Sequence, residues 1–134
     1  MRVRDWWLLV VVAAAQIAVA ASLRILPLSA WRSGTGRPNR VARLLVNEPD
    51  ERLVWAIEAT GRRLGRFSTC LVRALVAQLV LNSDDGPVSL TIGVRHNSAG
   101  AFEAHAWVTR RDCVLIGATG DEYLPIVTWT RQPA

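Results

Sequence analysis

The sequence predicts an α+β domain in which N-terminal helices pack on one side of a small antiparallel sheet. Three observations predict it. Apolar residues recur at helical spacing as far as Leu81, they alternate with other residues after Pro87, and the helical part precedes the strand part without any internal repeat. The chain has 134 residues, enough for one domain with a modest core. Residues 1–134 are therefore read as a single unit, with a helical part over 1–67 and a compact core over 68–130.

The N-terminal stretch from Trp6 to Ala21 is apolar apart from Gln16, and two arginines precede it. Three readings stay open. With Ala18-Val19-Ala20 at its end, the stretch has the layout of a secretory signal. Its continuous run is shorter than the roughly 20 residues a bilayer core needs, yet close enough to leave membrane association open. The third reading is a helix apolar on nearly all sides and buried between other elements. Leu23, Ile25, Leu26, Leu28 and Trp31 continue the apolar pattern where a signal would hand over to a polar mature end. That continuation favours the buried helix, which Pro27 bends or ends.

Ser33 to Asn39 reads as a loop and Arg40 to Val46 as a short helix. Asn47-Glu48-Pro49-Asp50 is a helix start, with Pro49 near the first helical position. Leu53, Val54, Ile57 and Leu64 then recur at helical spacing, and Gly61 and Gly65 weaken the helix toward its end. The strongest helix is Cys70 to Leu81, where Leu71, Leu75 and Leu79, and Val72, Val76 and Val80, repeat every four residues. Arg73 and Gln78 mark its wetter side. Residues 82–86 form a turn, after which Val88, Leu90, Ile92 and Val94 alternate as a half-buried strand. Arg95 to Gly100 is a loop, and Phe102, Ala104, Ala106 and Val108 alternate again. A tight turn over 110–112, a strand from Cys113 to Ala118, a loop and a fourth strand from Ile126 to Thr130 complete a meander.

The chain is 51% hydrophobic and 20% charged, which excludes a disordered tail or a collagen-like repeat. Its formal charge of +5 comes from arginines alone, scattered in runs of at most two, so no nucleic-acid partner is expected. Two cysteines, Cys70 and Cys113, are too few for a disulfide scaffold and suit a reducing compartment such as the cytoplasm. With His96 and His105 they make no zinc spacing, and Gly34-Thr35-Gly36 lacks the context of a phosphate loop. Neither a metal nor a cofactor is expected.

Cys70 falls in the first turn of the strongest helix, behind Ser68 or Thr69 as N-cap. Backbone N–H groups and the positive end of the helix dipole point at that position. They favour a nucleophilic thiolate, and the same amides can hold an oxyanion. A small, inert core residue is the plainer alternative. His105 stands on the strand face opposite Phe102, Ala104, Ala106 and Val108, beside Trp107. A thiol nucleophile needs an imidazole as base and acid and a third group to orient it. A helix-borne cysteine followed by a strand-borne histidine is the arrangement of papain-like and transglutaminase-like enzymes. His96 reads as a solvated loop residue, Cys113 as a small strand residue, and Trp107 as either a cleft wall or sheet packing.

The strings Cys70-Leu71-Val72-Arg73-Ala74-Leu75, Leu90-Thr91-Ile92-Gly93-Val94, Phe102-Glu103-Ala104-His105-Ala106-Trp107-Val108 and Tyr123-Leu124-Pro125-Ile126 resemble the lasso-peptide leader peptidases, the transglutaminase-like B proteins. The resemblance is dense from about Ser68 to Trp129 and looser over the helices, where Leu26-Pro27-Leu28 is similar to a family step. It implies a transglutaminase/papain-like cysteine protease core and a Cys-His-Asp triad. Cys70 and His105 match its first two members. The hairpin about 110–112 sets Gly117 opposite His105, where the family commonly has its Asp. Asp121 is then the nearest carboxylate for the third place, unless a backbone carbonyl or water orients His105.

The resemblance further implies a cytoplasmic endopeptidase that cuts the leader peptide from a ribosomally made lasso-peptide precursor. With helices from its start and 134 residues in all, the chain looks like the split form of the family. That form implies a separate small leader-recognition protein and an ATP-dependent cyclase acting afterwards. The competing expectation is a catalytically inactive, transglutaminase-like module that binds a peptide and touches membrane through Trp6 to Leu28. Gly117 in place of the family Asp favours it.

Overall fold

A computed structural model of the chain describes residues 2–25, 49–65, 69–81, 87–119 and 122–131. The expected loop over 33–39, the short helix over 40–46, Pro27, the turn over 82–86 and Asp121 lie outside them. Three helices, α1 (Val3–Ile25), α2 (Asp50–Leu64) and α3 (Cys70–Val80), precede four strands, β1 (Val88–His96), β2 (Phe102–Arg110), β3 (Cys113–Ile116) and β4 (Leu124–Arg131). The α+β prediction holds in that order. Helix α3 lies on β1, β2 and β3, and α1 and α2 pack on α3 and on each other.

In α1, the buried residues Leu8, Val12, Ala15, Gln16 and Val19 fall on one face. That face is dry enough to need its one polar group satisfied. Gln16 is fully buried, and its Nε2 donates to the Ile57 carbonyl at 3.2 Å and to the Thr60 hydroxyl at 2.7 Å, both on α2. At the other end, Arg52 of α2 donates to Asp5 at 2.7 Å, and this guanidinium, with the Arg2 backbone N–H, holds the Asp5 carboxyl below its usual range. The opposite face of α1 leaves Trp6, Trp7, Val10 and Ile17 at 55%, 42%, 63% and 49% exposure. The helix is long and apolar enough to cross a membrane, and its burial is one-sided rather than complete.

Asp50 and Glu51 occupy the favourable first turn of α2, and Arg110 at the end of β2 pairs with Asp50, joining this helix to the sheet. In α3, Val72, Ala74, Leu75, Val76, Ala77 and Val80 are buried. Gln78 is not on a wet side, as its polarity suggests. It is fully buried, and its Nε2 donates to the carbonyls of Val88 at 3.2 Å and Trp129 at 3.1 Å. The amide thus fastens α3 to β1 and β4 at once, and main-chain acceptors across the core make its burial affordable.

The sheet is antiparallel in the order β3-β2-β1-β4. It is not the simple meander expected, because β4 returns to the free side of β1. There Trp129 pairs with Leu90, and both are buried. Pro125, with no N–H to give, is tolerated on this edge strand beside a break in register at Ile92/Gly93. Arg111 and Asp112, at φ 51° and 63°, close a two-residue β2–β3 hairpin turn with Arg110 and Cys113 paired.

Candidate active site

Thr69 is the N-cap of α3, and its hydroxyl accepts from the Val72 N–H at 3.3 Å. Cys70 is therefore the first residue of the helix, half-buried, with its thiol free. The first-turn amides above it are the donors an oxyanion requires. Alternation along β2 sends Ala106 and Val108 into the core under α3 and turns His105 and Trp107 the other way. At the end of β3 the two candidate residues come to one place. Cys70, His105, Glu58, Arg73, Leu115 and Gly117 are among the residues around a cleft of about 330 Å³. Glu58 and Arg73 form an ion pair at 3.6 Å in its wall. Cys70 and His105 share this cleft without a direct hydrogen bond.

The imidazole is held by its far nitrogen. His105 Nε2 donates to the Gly117 carbonyl oxygen at 2.6 Å. A carbonyl only accepts, so Nε2 carries the proton, and in the neutral ring Nδ1 is left with the lone pair. Nδ1 makes no hydrogen bond among the described residues. A ring in this tautomer can take a proton from the thiol, and the carbonyl then steadies the imidazolium.

Gly117 lies elsewhere than a regular hairpin would put it. Val108 pairs with Ile116 and Thr109 with Val114, so Leu115 is an extra residue, a bulge. The two-residue turn, with Arg110 paired to Cys113, and the bulge together carry the Gly117 backbone against Ala106 and Trp107 rather than opposite His105. At φ +89° a Cβ there would stand 2.7 Å from the Ala106 carbonyl oxygen and 3.1 Å from Trp107 Cα. An aspartate cannot occupy this position without moving backbone. The group presented to the imidazole is the glycine's own carbonyl.

A second cavity of about 210 Å³ lies on the other side of His105, walled by Trp107, Val114, Thr119 and Tyr123. It shares His105, Gly117 and Ala118 with the first. The Tyr123 ring lies 5.1 Å from the imidazole and Trp107 6.1 Å, centroid to centroid. Trp107, paired across the strands with Thr91, fits because its diagonal neighbour is Gly93, where a Cβ would stand 2.8 Å from the indole. Sequence reading missed Tyr123. The available signal was its place in one of the family-like strings.

Cys113 is exposed at the distal hairpin, and the His96 ring lies tilted against Phe102 at 4.1 Å by the β1–β2 turn. The structure therefore brings together Cys70 and His105 and not the other pair. Among the described residues, no group of three or more His, Cys, Asp or Glu side chains is arranged to hold a metal.

A helix with a cysteine at its first turn and an antiparallel sheet with a histidine, both lining one cleft, define the class: an α+β domain with a thiol and an imidazole at the same opening. The family model of the transglutaminase-like superfamily matches residues 7–128. The chain belongs to the transglutaminase-like superfamily, in which cysteine-protease and transferase activities are common. No curated protein and no solved structure gives a significant match.

Proposed function

We propose that this chain is a cysteine endopeptidase that removes the leader from a ribosomally synthesised lasso-peptide precursor. The observation that carries the chemistry is the meeting of Cys70 and His105 at one cleft, with Nε2 bonded to a carbonyl and Nδ1 open. The choice of substrate rests on the resemblance of residues 68–129 to the leader peptidases.

In the proposed reaction the Cys70 sulfur adds to the scissile carbonyl carbon while its proton passes to His105 Nδ1. First-turn amides of α3 hold the oxyanion. The C–N bond breaks as Nδ1–H protonates the leaving amine, which frees the core peptide and leaves the leader as a thioester on Cys70. Water, losing its proton to Nδ1, hydrolyses the thioester and restores the thiol. The Gly117 carbonyl holds Nε2–H, and a carboxylate acting as third member would share or replace that bond. Asp121 stays a proposal for the third member of the triad. Under it Asp121→Asn slows cleavage roughly ten- to a hundredfold, and a wild-type rate leaves the Gly117 carbonyl as orienter.

A separate recognition protein would deliver the leader in the cytoplasm, and an ATP-dependent cyclase would act on the released core. The test is mass spectrometry of a precursor incubated with the chain and that recognition protein. Leader release by wild type and none by Cys70→Ala is the expected result, and cleavage by Cys70→Ala contradicts it. The second reading, an inactive peptide-binding module at a membrane, draws on the exposed tryptophans of α1 and on a carbonyl standing where the family carboxylate would be.

A further inference from the structure

The hydrogen bond to Gly117 fixes one atom of the His105 ring and leaves the ring plane to be set by something else. Nδ1 faces the thiol only if that plane is held. Two rings lie against it: Trp107 on the same strand at 6.1 Å and 23°, and the nearer Tyr123, just ahead of β4, at 5.1 Å and a tilt of 32°. Tyr123 is itself held from behind: the Arg95 guanidinium carbon lies 5.3 Å from its ring centroid. Arg95 is anchored in turn. Its Nε donates to Glu103 Oε2 at 3.0 Å and its second nitrogen lies 2.9 Å from the same oxygen, while Asn97 donates to Glu103 Oε1 at 3.3 Å. Arg95 and Glu103 are cross-strand partners on β1 and β2, two residues from the Gly93–His105 pair on the same face. The chain of contacts therefore runs from a β-hairpin turn, through an ion pair and a tyrosine face, to the imidazole.

We propose that Tyr123, clamped by the Arg95–Glu103 pair, is a positioning residue that holds the His105 ring plane so that Nδ1 faces Cys70. This rests on the reading of Cys70 and His105 as nucleophile and base. The clamp acts through the ring and not through the hydroxyl, so Tyr123→Phe keeps it and Tyr123→Leu removes it. Substrate binding is not its task, so its loss falls on kcat rather than KM.

The test has two readouts on the full chain. The first is the rate at which iodoacetamide alkylates Cys70, which needs no substrate. Tyr123→Leu is expected to lower it about tenfold toward the rate in His105→Ala, with Tyr123→Phe within about twofold of wild type. The second is leader cleavage, where Tyr123→Leu is expected to lower kcat ten- to a hundredfold with KM within about threefold. Where Tyr123→Leu fails to fold, Arg95→Gln serves, with a few-fold loss that disappears in a Glu103→Gln background because the clamp is already open. Unchanged alkylation in Tyr123→Leu overturns the proposal, as does equal damage from Tyr123→Phe or a rise in KM alone. Failure of the underlying reading looks different, since Cys70 in wild type would then be no more reactive than in His105→Ala.

Discussion

Gly117 concentrates the argument at the scale of single residues. Its positive φ and the close Ala106 oxygen exclude a side chain, and its carbonyl holds the imidazole. Gly117→Ala is expected to cost roughly 1–3 kcal/mol of stability, read by urea titration, and to impair Cys70 reactivity beyond that loss. Stability within a few tenths of a kcal/mol of wild type would contradict the geometry. His105→Ala should lose as much activity as Cys70→Ala, because nucleophile and base act as a unit, whereas His96→Ala and Cys113→Ala should remain within a few-fold of wild type. The two candidate residues were legible in sequence because each has a positional signature, a helix first turn and a strand alternation. Their orienter was not. The turn is two residues long rather than three, and a bulge adds one residue to β3 without disturbing the apolar pattern, so the expected register slips by one at the turn and by one more after Leu115.

Elements were legible where one period dominates. Helix α3 and strands β1 and β2 follow their apolar repeats closely. Gln78 misled because a side chain's polarity does not say whether carbonyls await it across the core, and β4 misled because strand alternation does not say which edge a strand joins. The buried α3 face is the centre of the core, and Leu75→Ala should cost about 2–5 kcal/mol, measured by urea titration. Helix α1 is tied to α2 by Gln16 at one point and Asp5 at another. The Asp5 carboxyl is held below the ordinary 3.8 by Arg52, so its contribution is complete above that pH and is lost as pH falls through the lowered value. Asp5→Asn should therefore lower the melting temperature at neutral pH. The gap should close in acid, and a gap that persists unchanged at pH 2 would contradict the ion pair.

For the whole molecule, α1 poses the question its sequence left open. An all-apolar helix gives no polar stripe to mark the face that will be buried, so pattern alone could not decide among signal, membrane segment and core helix. The fold uses one face for the core and leaves Trp6, Trp7, Val10 and Ile17 outward. Beside Trp6 and Val10, Trp55 and Arg63 line a shallow groove of about 260 Å³ between α1 and α2. If this face meets a bilayer, tryptophans and arginine suit an anionic interface. The full chain should then float with vesicles containing phosphatidylglycerol, and Val10→Glu should release it without unfolding. Equal recovery with and without vesicles would remove the membrane from the account.

The central claim is that Cys70 and His105 work as a pair, and the rate of thiol alkylation tests it most directly. Cys113 is the more exposed of the two cysteines, so simple accessibility would label it first. The pair predicts the reverse: near neutral pH, iodoacetamide modifies Cys70 at least about tenfold faster than Cys113 in the wild-type chain, and His105→Ala abolishes that excess while leaving Cys113 unchanged. Faster labelling of Cys113 in wild type, or an excess at Cys70 that survives His105→Ala, would contradict it.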